Sequence, residues 1–228
     1  MLTSEKTYIW PSNIKDAKAV QEELRHKVKI TPLRMQPKYI AAADAAFTDN
    51  KIIGAVCIYK YQGLECLHHE IVVRKITFPY VPSYLTFREG PAIMEAIKKL
   101  KIMPDVIIFD GQGIAHPKGL GIASHIGVLL DIPTIGCAKS RLIGTFKEPS
   151  KRKGQWSRLM HNGKTIGAVL RTRDNVRPVF VSPGHKIDLG TSVDIIVHCT
   201  GNYRIPLPQR CADMFTKRAK QKILGKCL

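Results

Sequence analysis

The sequence predicts an α/β domain built on a mixed β-sheet flanked by helices, and three observations carry that reading. Of the 228 residues, 44% are hydrophobic, enough for a sizeable core, since a chain of this length buries roughly 70% of its unfolded surface. In residues 39–76, apolar runs rich in Ile and Val lie between short polar breaks, the pattern of an antiparallel meander. Beyond them, segments of helical period alternate with short, wholly apolar runs, as expected of strands covered on both faces.

The elements follow in order. Residues 13–30 place Ile14, Ala17, Val20, Leu24 and Val28 near helical spacing behind a capping Asn13, which predicts an amphipathic helix. YIAAADAAF, IIGAVCIYKY and CLHHEIVVRKI, separated by TDNK and QGLE, read as three antiparallel strands. Residues 83–101 return to helical period through Leu85, Ile93, Ala96, Ile97 and Leu100, and Gly90-Pro91 must start or kink that helix. DVIIFD and PTIGCAK are short buried strands around the helical GIASHIGVLLDI, joined by a right-handed crossover. From residue 141 the chain turns basic and turn-rich in RLIGTFKEPSKRKGQWSRL, before strands in TIGAVLRT and PVFVSPG and a helix in DLGTSVDIIVHCT. The expected organisation is one domain: a helix at about 13–30, a core at about 38–213 and a basic tail at about 214–228, whose KRAKQKILGKCL reads as a frayed helix.

Lys and Arg number 36 against 18 Asp and Glu, a net charge of +18. Such an excess attracts polyanions, with nucleic acid ahead of an anionic membrane surface or an acidic protein. The six cysteines, at 57, 66, 137, 199, 211 and 227, include no C-x-x-C pair, which fits a reduced cytoplasm. MLTSEKTYIWPSN has no continuous apolar stretch of a secretory signal, and nothing elsewhere is apolar enough to span a membrane. The expectation is a cytoplasmic protein with no membrane partner.

In a chain so poor in carboxylates, an acid inside or at the end of an apolar run needs a reason, because an unpaired buried charge is costly. Asp44 interrupts YIAAADAAF, Asp110 ends VIIFD where an α/β strand opens onto a ligand crevice, and Glu89 lies in FREGP at the front of the next helix. Taken singly, Asp44 is equally a hairpin-end residue, Glu89 the partner of Arg88 or a lysine, and Asp110 a cap for the following loop. Together, in a basic chain, they point to hard-cation phosphodiester chemistry, since a divalent cation neutralises clustered carboxylates. The loop DGQGIAHPKGLG does not fit G-x-G-x-x-G, contains Pro117, and is not followed by an acid at the next strand end, where Ala138 and Lys139 stand. Its Gly111, Gly113, Gly119 and Gly121 are expected instead to let backbone approach a flat ligand, such as an extruded base.

PYVPSYLTFREGP (79–91), PDVIIFDGQGIAHPKGLGIASHIG (104–127) and PTIGCAKSRLIG (133–144) resemble endonuclease V, the deoxyinosine 3′ endonuclease family with a ribonuclease H-like fold. The resemblance runs from about Ala42 to Asp213 and includes RIPLPQRCAD. It implies a Mg²⁺-dependent repair nuclease, with Mn²⁺ as a substitute, that recognises hypoxanthine in DNA. Such an enzyme hydrolyses the second phosphodiester bond 3′ to the lesion, leaving 3′-hydroxyl and 5′-phosphate ends.

By that resemblance Asp44, Glu89 and Asp110 are metal ligands. Asp213, where some relatives carry histidine, approaches a second metal or caps the C-terminal helix. Lys139 holds the scissile phosphate or the attacking water, and His116 matches an active-site histidine. Pro79, Tyr80, Val81 and Pro82 match the wedge that separates the strands, against the bland reading of Tyr80 as a core tyrosine at a strand end. Ser83, Leu85, Gly111, Gly121, Ile122 and Gly136 would line the base pocket, although relatives often have glycine where Ser83 stands.

Outside these motifs, Lys147, Lys151, Arg152, Lys153, Arg158, Arg171 and Arg173 are expected to track the phosphate backbone. The expected enzyme is a monomer. Its rivals are an inosine-specific ribonuclease, which the sequence does not separate from a deoxyribonuclease, and a non-catalytic binder of damaged nucleic acid. The full carboxylate set argues against the binder, which would gain affinity by losing negative charge near the phosphates.

Overall fold

The structure, a computed structural model, describes residues 8–225; the first seven residues of the amino-terminal segment and Cys227 lie outside the described residues. The meander forms as the alternation requires: β1 (Tyr39–Phe47) pairs antiparallel with β2 (Lys51–Lys60), and β2 with β3 (Cys66–Lys75). α2 (Leu85–Lys98), β4 (Val106–Phe109), α3 (Ile122–Leu130) and β5 (Thr134–Ala138) follow. β4 lies parallel to both β1 and β5, while β8 (Val179–His185) closes on β5 antiparallel. With β6 (Trp156–His161) and β7 (Lys164–Leu170), the strands make one eight-stranded mixed sheet in the order β3-β2-β1-β4-β5-β8-β7-β6.

Strand alternation sorts the core into two layers. Ile40 and Ala42 of β1 face a cluster that includes Ile195 and Ile196 of α4 (Leu189–Thr200) and Ala212 of α5 (Leu207–Ile223). Ala41 and Ala43 face the opposite cluster, built with Ile93 and Ile97 of α2 and Ile126 of α3. β4 is buried at all four residues, which explains its unbroken apolar text: covered on both faces, it has no solvent side to encode.

Several expectations change. The first helix, α1, runs only from Ile14 to Arg25, and its buried stripe is Ala17, Gln21 and Leu24 while Ile14 stays exposed. α2 runs through Pro91 rather than starting there, losing one backbone donor in its middle. A strand, β6, lies inside the segment read as turn-rich, at the sheet edge where only Leu159 is buried and Trp156 and Arg158 are exposed. The basic tail is no frayed end, because the regular helix α5 occupies it to Ile223. Asp213 is the seventh residue of α5 and so caps nothing.

Candidate functional site

The carboxyl ends of the parallel strands bring the acids together. Asp44 is the sixth of nine residues of β1, paired with Ala55 and far from the hairpin turn. Its Oδ2 accepts a hydrogen bond of 2.8 Å from Thr216 Oγ1 of α5. Asp110 follows β4 directly, its backbone N–H donating to Ala43 O at 3.3 Å. Glu89 enters from the other face of the sheet, buried in α2. Arg88 does not pair with it in a salt bridge; that guanidinium donates to Phe78 O at 2.9 Å.

Burial and mutual charge both act on the three acids. Burial, then the charges of Asp44 and Asp110, holds the Glu89 carboxyl well above its ordinary range. Burial and Asp110 together raise Asp44 to about 6, against the opposing hydrogen bond from Thr216. The neutralising cation in this arrangement is Lys139, directly after β5, whose Nζ lies 2.5 Å from Asp110 Oδ2 and 4.0 Å from Asp213 Oδ1. Burial pulls the Lys139 pKa down, but the hydrogen bond and charge of Asp110, with Asp213 and Asp44, more than offset it and raise it. Asp213 also binds Lys217, at 2.7 Å. Among the described residues no three His, Cys, Asp or Glu side chains stand at preformed ligand spacing. The donor set nonetheless fits a hard divalent cation: it is all oxygen, and burial followed by mutual repulsion raises two of its pKa values.

Beside the acids opens a cavity of about 380 Å³, lined by Tyr80, Val81, Pro82, Ser83, Leu85, Asp110, Gly111, His116, Gly121, Ile122 and Lys139 among others. That size suits a small organic ligand. Tyr80 is 71% exposed, so it is no core tyrosine. Of the residues expected to line a base pocket, Gly136 is the exception. It lies beneath the 111–113 loop, where a Cβ would come within 2.3 Å of Gly113 N; at Gly121 a Cβ would lie 2.2 Å from Gln112 O. Gly113, Gly121 and Gly136 let the protein's own backbone close on itself, while Gly111 and Gly121 also line the cavity. Gly119, at φ +65°, has open space around it.

The basic surface divides. Lys147, Lys151, Arg152, Lys153, Arg158 and Arg173 are exposed. Arg171 is not available to a phosphate: it is buried, ion-paired to Glu148 at 2.7 Å and bonded to the carbonyls of Pro149, Ser150 and Val176. Sequence reasoning missed the residues that support the site. Thr216 stands one helical turn after Asp213, and Arg204 donates to Lys139 O at 2.7 Å. Gln21 was legible in principle, as a polar residue between Ala17 and Leu24 on the buried stripe of α1.

The family model described as Endonuclease V matches residues 22–214. The chain is 50% identical over 199 residues to the endonuclease V of Dictyoglomus turgidum, covering 87% of each. It superimposes on the crystal structure of endonuclease V from Streptomyces avermitilis with a TM-score of 0.90 at 35% identity, over 94% of this chain and 96% of that one. Ciona intestinalis endonuclease V, solved with a 24mer DNA containing an inosine followed by a ribo-adenosine, matches with a TM-score of 0.80 at 26% identity over 92% and 98%. The ribonuclease H-like α/β fold expected from the sequence is the fold observed.

Proposed function

The chain belongs to the endonuclease V family of metal-dependent nucleases, and from that premise we propose that it is a repair endonuclease cutting DNA at deoxyinosine, with Mg²⁺ as its metal and Mn²⁺ as a substitute. The observation that carries the reading is the convergence of Asp44, Glu89 and Asp110 beside a cavity walled by residues 80–83. Asp44, Glu89 and Asp110 would hold the metal, and Asp213 stands near enough to Lys139 to join a second site. Bound there, Mg²⁺ supplies Lewis acidity toward water and phosphate.

The chain's own groups do the rest. Thr216 fixes the orientation of the Asp44 carboxylate. Lys139, drawn to Asp110 in this arrangement, places a positive charge where a phosphate would develop negative charge, a preorganised stabilisation. Tyr80, exposed between Pro79 and Pro82, enters the base stack, and the cavity receives the expelled hypoxanthine. Ser83, Leu85, Gly111, Gly121 and Ile122 form its walls, with Gly136 supporting the loop from below. Cleavage falls at the second phosphodiester bond 3′ to the lesion, leaving 3′-hydroxyl and 5′-phosphate ends. The free cysteines, Cys57, Cys66, Cys137, Cys199 and Cys211 among the described residues, suit a cytoplasmic enzyme.

Matched DNA and RNA oligonucleotides carrying one inosine, each with Mg²⁺, with Mn²⁺ or with EDTA, test the reading. The DNA should be nicked near inosine only with a metal present; cutting in EDTA would overturn the metal assignment, and faster cutting of the RNA would make the enzyme a ribonuclease.

A further inference from the structure

Behind the cavity, one carbonyl holds two side chains from distant parts of the chain. Ser83 O accepts from Gln21 Nε2 of α1 at 2.7 Å and bonds His116 Nε2 at 3.1 Å. The ring's other nitrogen, Nδ1, accepts from Lys118 N–H at 3.2 Å, which leaves the proton on Nε2 as a donor to Ser83 O. Burial holds His116 neutral, its pKa lowered to about 4. Both ring nitrogens are therefore engaged with backbone, so His116 supports the loop and has no free nitrogen for proton transfer.

Ser83 is a conformational exception, with φ +70°, in the left-handed region where a residue bearing a Cβ is disfavoured. The following turn depends on it, with Tyr84 N–H bonding Val81 O at 3.0 Å before α2 starts at Leu85. Gln21 is 3% exposed and does not line the cavity, while Ala17 of the same helix packs with Phe78 and Phe87. α1 is thus docked against the segment that runs from the 79–82 loop into the helix bearing Glu89.

We propose that Gln21 is a positioning residue for the base pocket: together with His116 it clamps the Ser83 carbonyl and holds Ser83 in its left-handed conformation, so that α1 sets the rim between wedge and cavity. The assignment to a base pocket rests on the reading of the protein as a deoxyinosine nuclease; the clamp itself does not. One consequence separates the idea from a general packing role. Glycine adopts φ near +70° without the Cβ penalty, so Ser83→Gly should make the clamp dispensable.

The test compares wild type, Gln21→Met, which keeps the buried volume but loses the donor, Ser83→Gly and the double variant. Amide hydrogen exchange of the peptide spanning 79–86 is read without substrate, and affinity for fluorescein-labelled duplexes with inosine or adenine is read by anisotropy in EDTA at one salt concentration. Gln21→Met should speed exchange about tenfold and lower the inosine-to-adenine affinity ratio about tenfold; added to Ser83→Gly, it should change neither value from that of the Ser83→Gly single variant. Unchanged exchange in Gln21→Met, or a change of the same size when it is added to Ser83→Gly, overturns the clamp. Faster exchange with an unchanged affinity ratio overturns its assignment to the pocket. A wild type that binds both duplexes equally, with exchange responding as expected, upholds the clamp and overturns the substrate reading. Should Gln21→Met fail to fold, ¹⁵N shifts of the wild-type His116 ring decide: the Nε2-protonated neutral tautomer supports the clamp, and the Nδ1-protonated or charged ring refutes it.

Discussion

The two walls of the site are built on opposite principles. The acid wall stands on regular elements: Asp44 within a strand paired on both sides, Asp110 at the end of a wholly buried strand and Glu89 inside a helix, and of the three Asp110 also lines the cavity. The facing wall is loop, with Tyr80 exposed and Ser83 at positive φ, held by hydrogen bonds to Gln21 and His116. A sheet fixes positions through many backbone bonds at once, whereas a loop held by a few side chains can yield when a base enters. Chemistry needs fixed charges and recognition needs a surface that can part a duplex, and the division follows that need.

If the division is real, substitutions on the two walls should fail differently. The largest effect is expected at Asp110→Asn, which removes a negative charge from the acids proposed to hold the metal while keeping their shape. Cleavage should fall by about a thousandfold or more, as for loss of a group acting on transition-state charge, while affinity for inosine DNA persists or rises. Gel shift and single-turnover cleavage on one labelled duplex at fixed salt read both. A loss of only about tenfold, about 1.4 kcal/mol in the barrier, would remove Asp110 from the ligand set.

Tyr80→Ala tests the other wall. Its folding stability should stay near wild type because the ring is exposed, but discrimination between inosine and normal duplexes should drop about tenfold or more, since the wedge no longer offsets unstacking, a cost of a few kcal/mol. Competition binding with matched duplexes measures it, and equal discrimination would move the wedge elsewhere on the loop.

The smallest effect concerns the support behind that wall. Burial lowers the pKa of His116 to about 4 and of His125 to about 3, from 6.5. The unfolded chain therefore takes up protons near pH 6.5 that the folded chain refuses, so stability present above that pH is lost as pH falls toward 4. Asp44 and Glu89, whose pKa values are raised, work in the opposite direction over the same range, so thermal melts from pH 7 to pH 5 are read as the difference between each variant and wild type, about 1.4 kcal/mol per pH unit for each histidine at most. His116→Asn and His125→Asn should each lose less stability than wild type as pH falls, and a variant whose pH dependence runs parallel to wild type would mean that its ring protonates in the folded protein.

Much of this was legible from the chain alone, for reasons that differ by element. The nearly unbroken apolar runs of YIAAADAAF and VIIF dictate strands covered on both faces because burial on each face is a local consequence of side-chain period and pairing. The acids at 44, 89 and 110 stood out because charge inside apolar text is costly. β6 escaped because an edge strand with one buried residue carries almost no pattern, and Arg171 passed for a surface cation because its partners at 148–150 and 176 meet only on folding.

The sequence by itself determined which segments pair, which stay dry and which carboxylates must answer for their burial, since periodicity and desolvation act within a few residues. Only the tertiary structure decided that Thr216 orients Asp44 across 172 positions and that Gln21 reaches Ser83 across 62. It alone put the Lys139 ammonium among the acids. Hydrogen bonds and ion pairs are satisfied by whatever the fold brings within about 3 Å, and no local pattern in the chain records that distance.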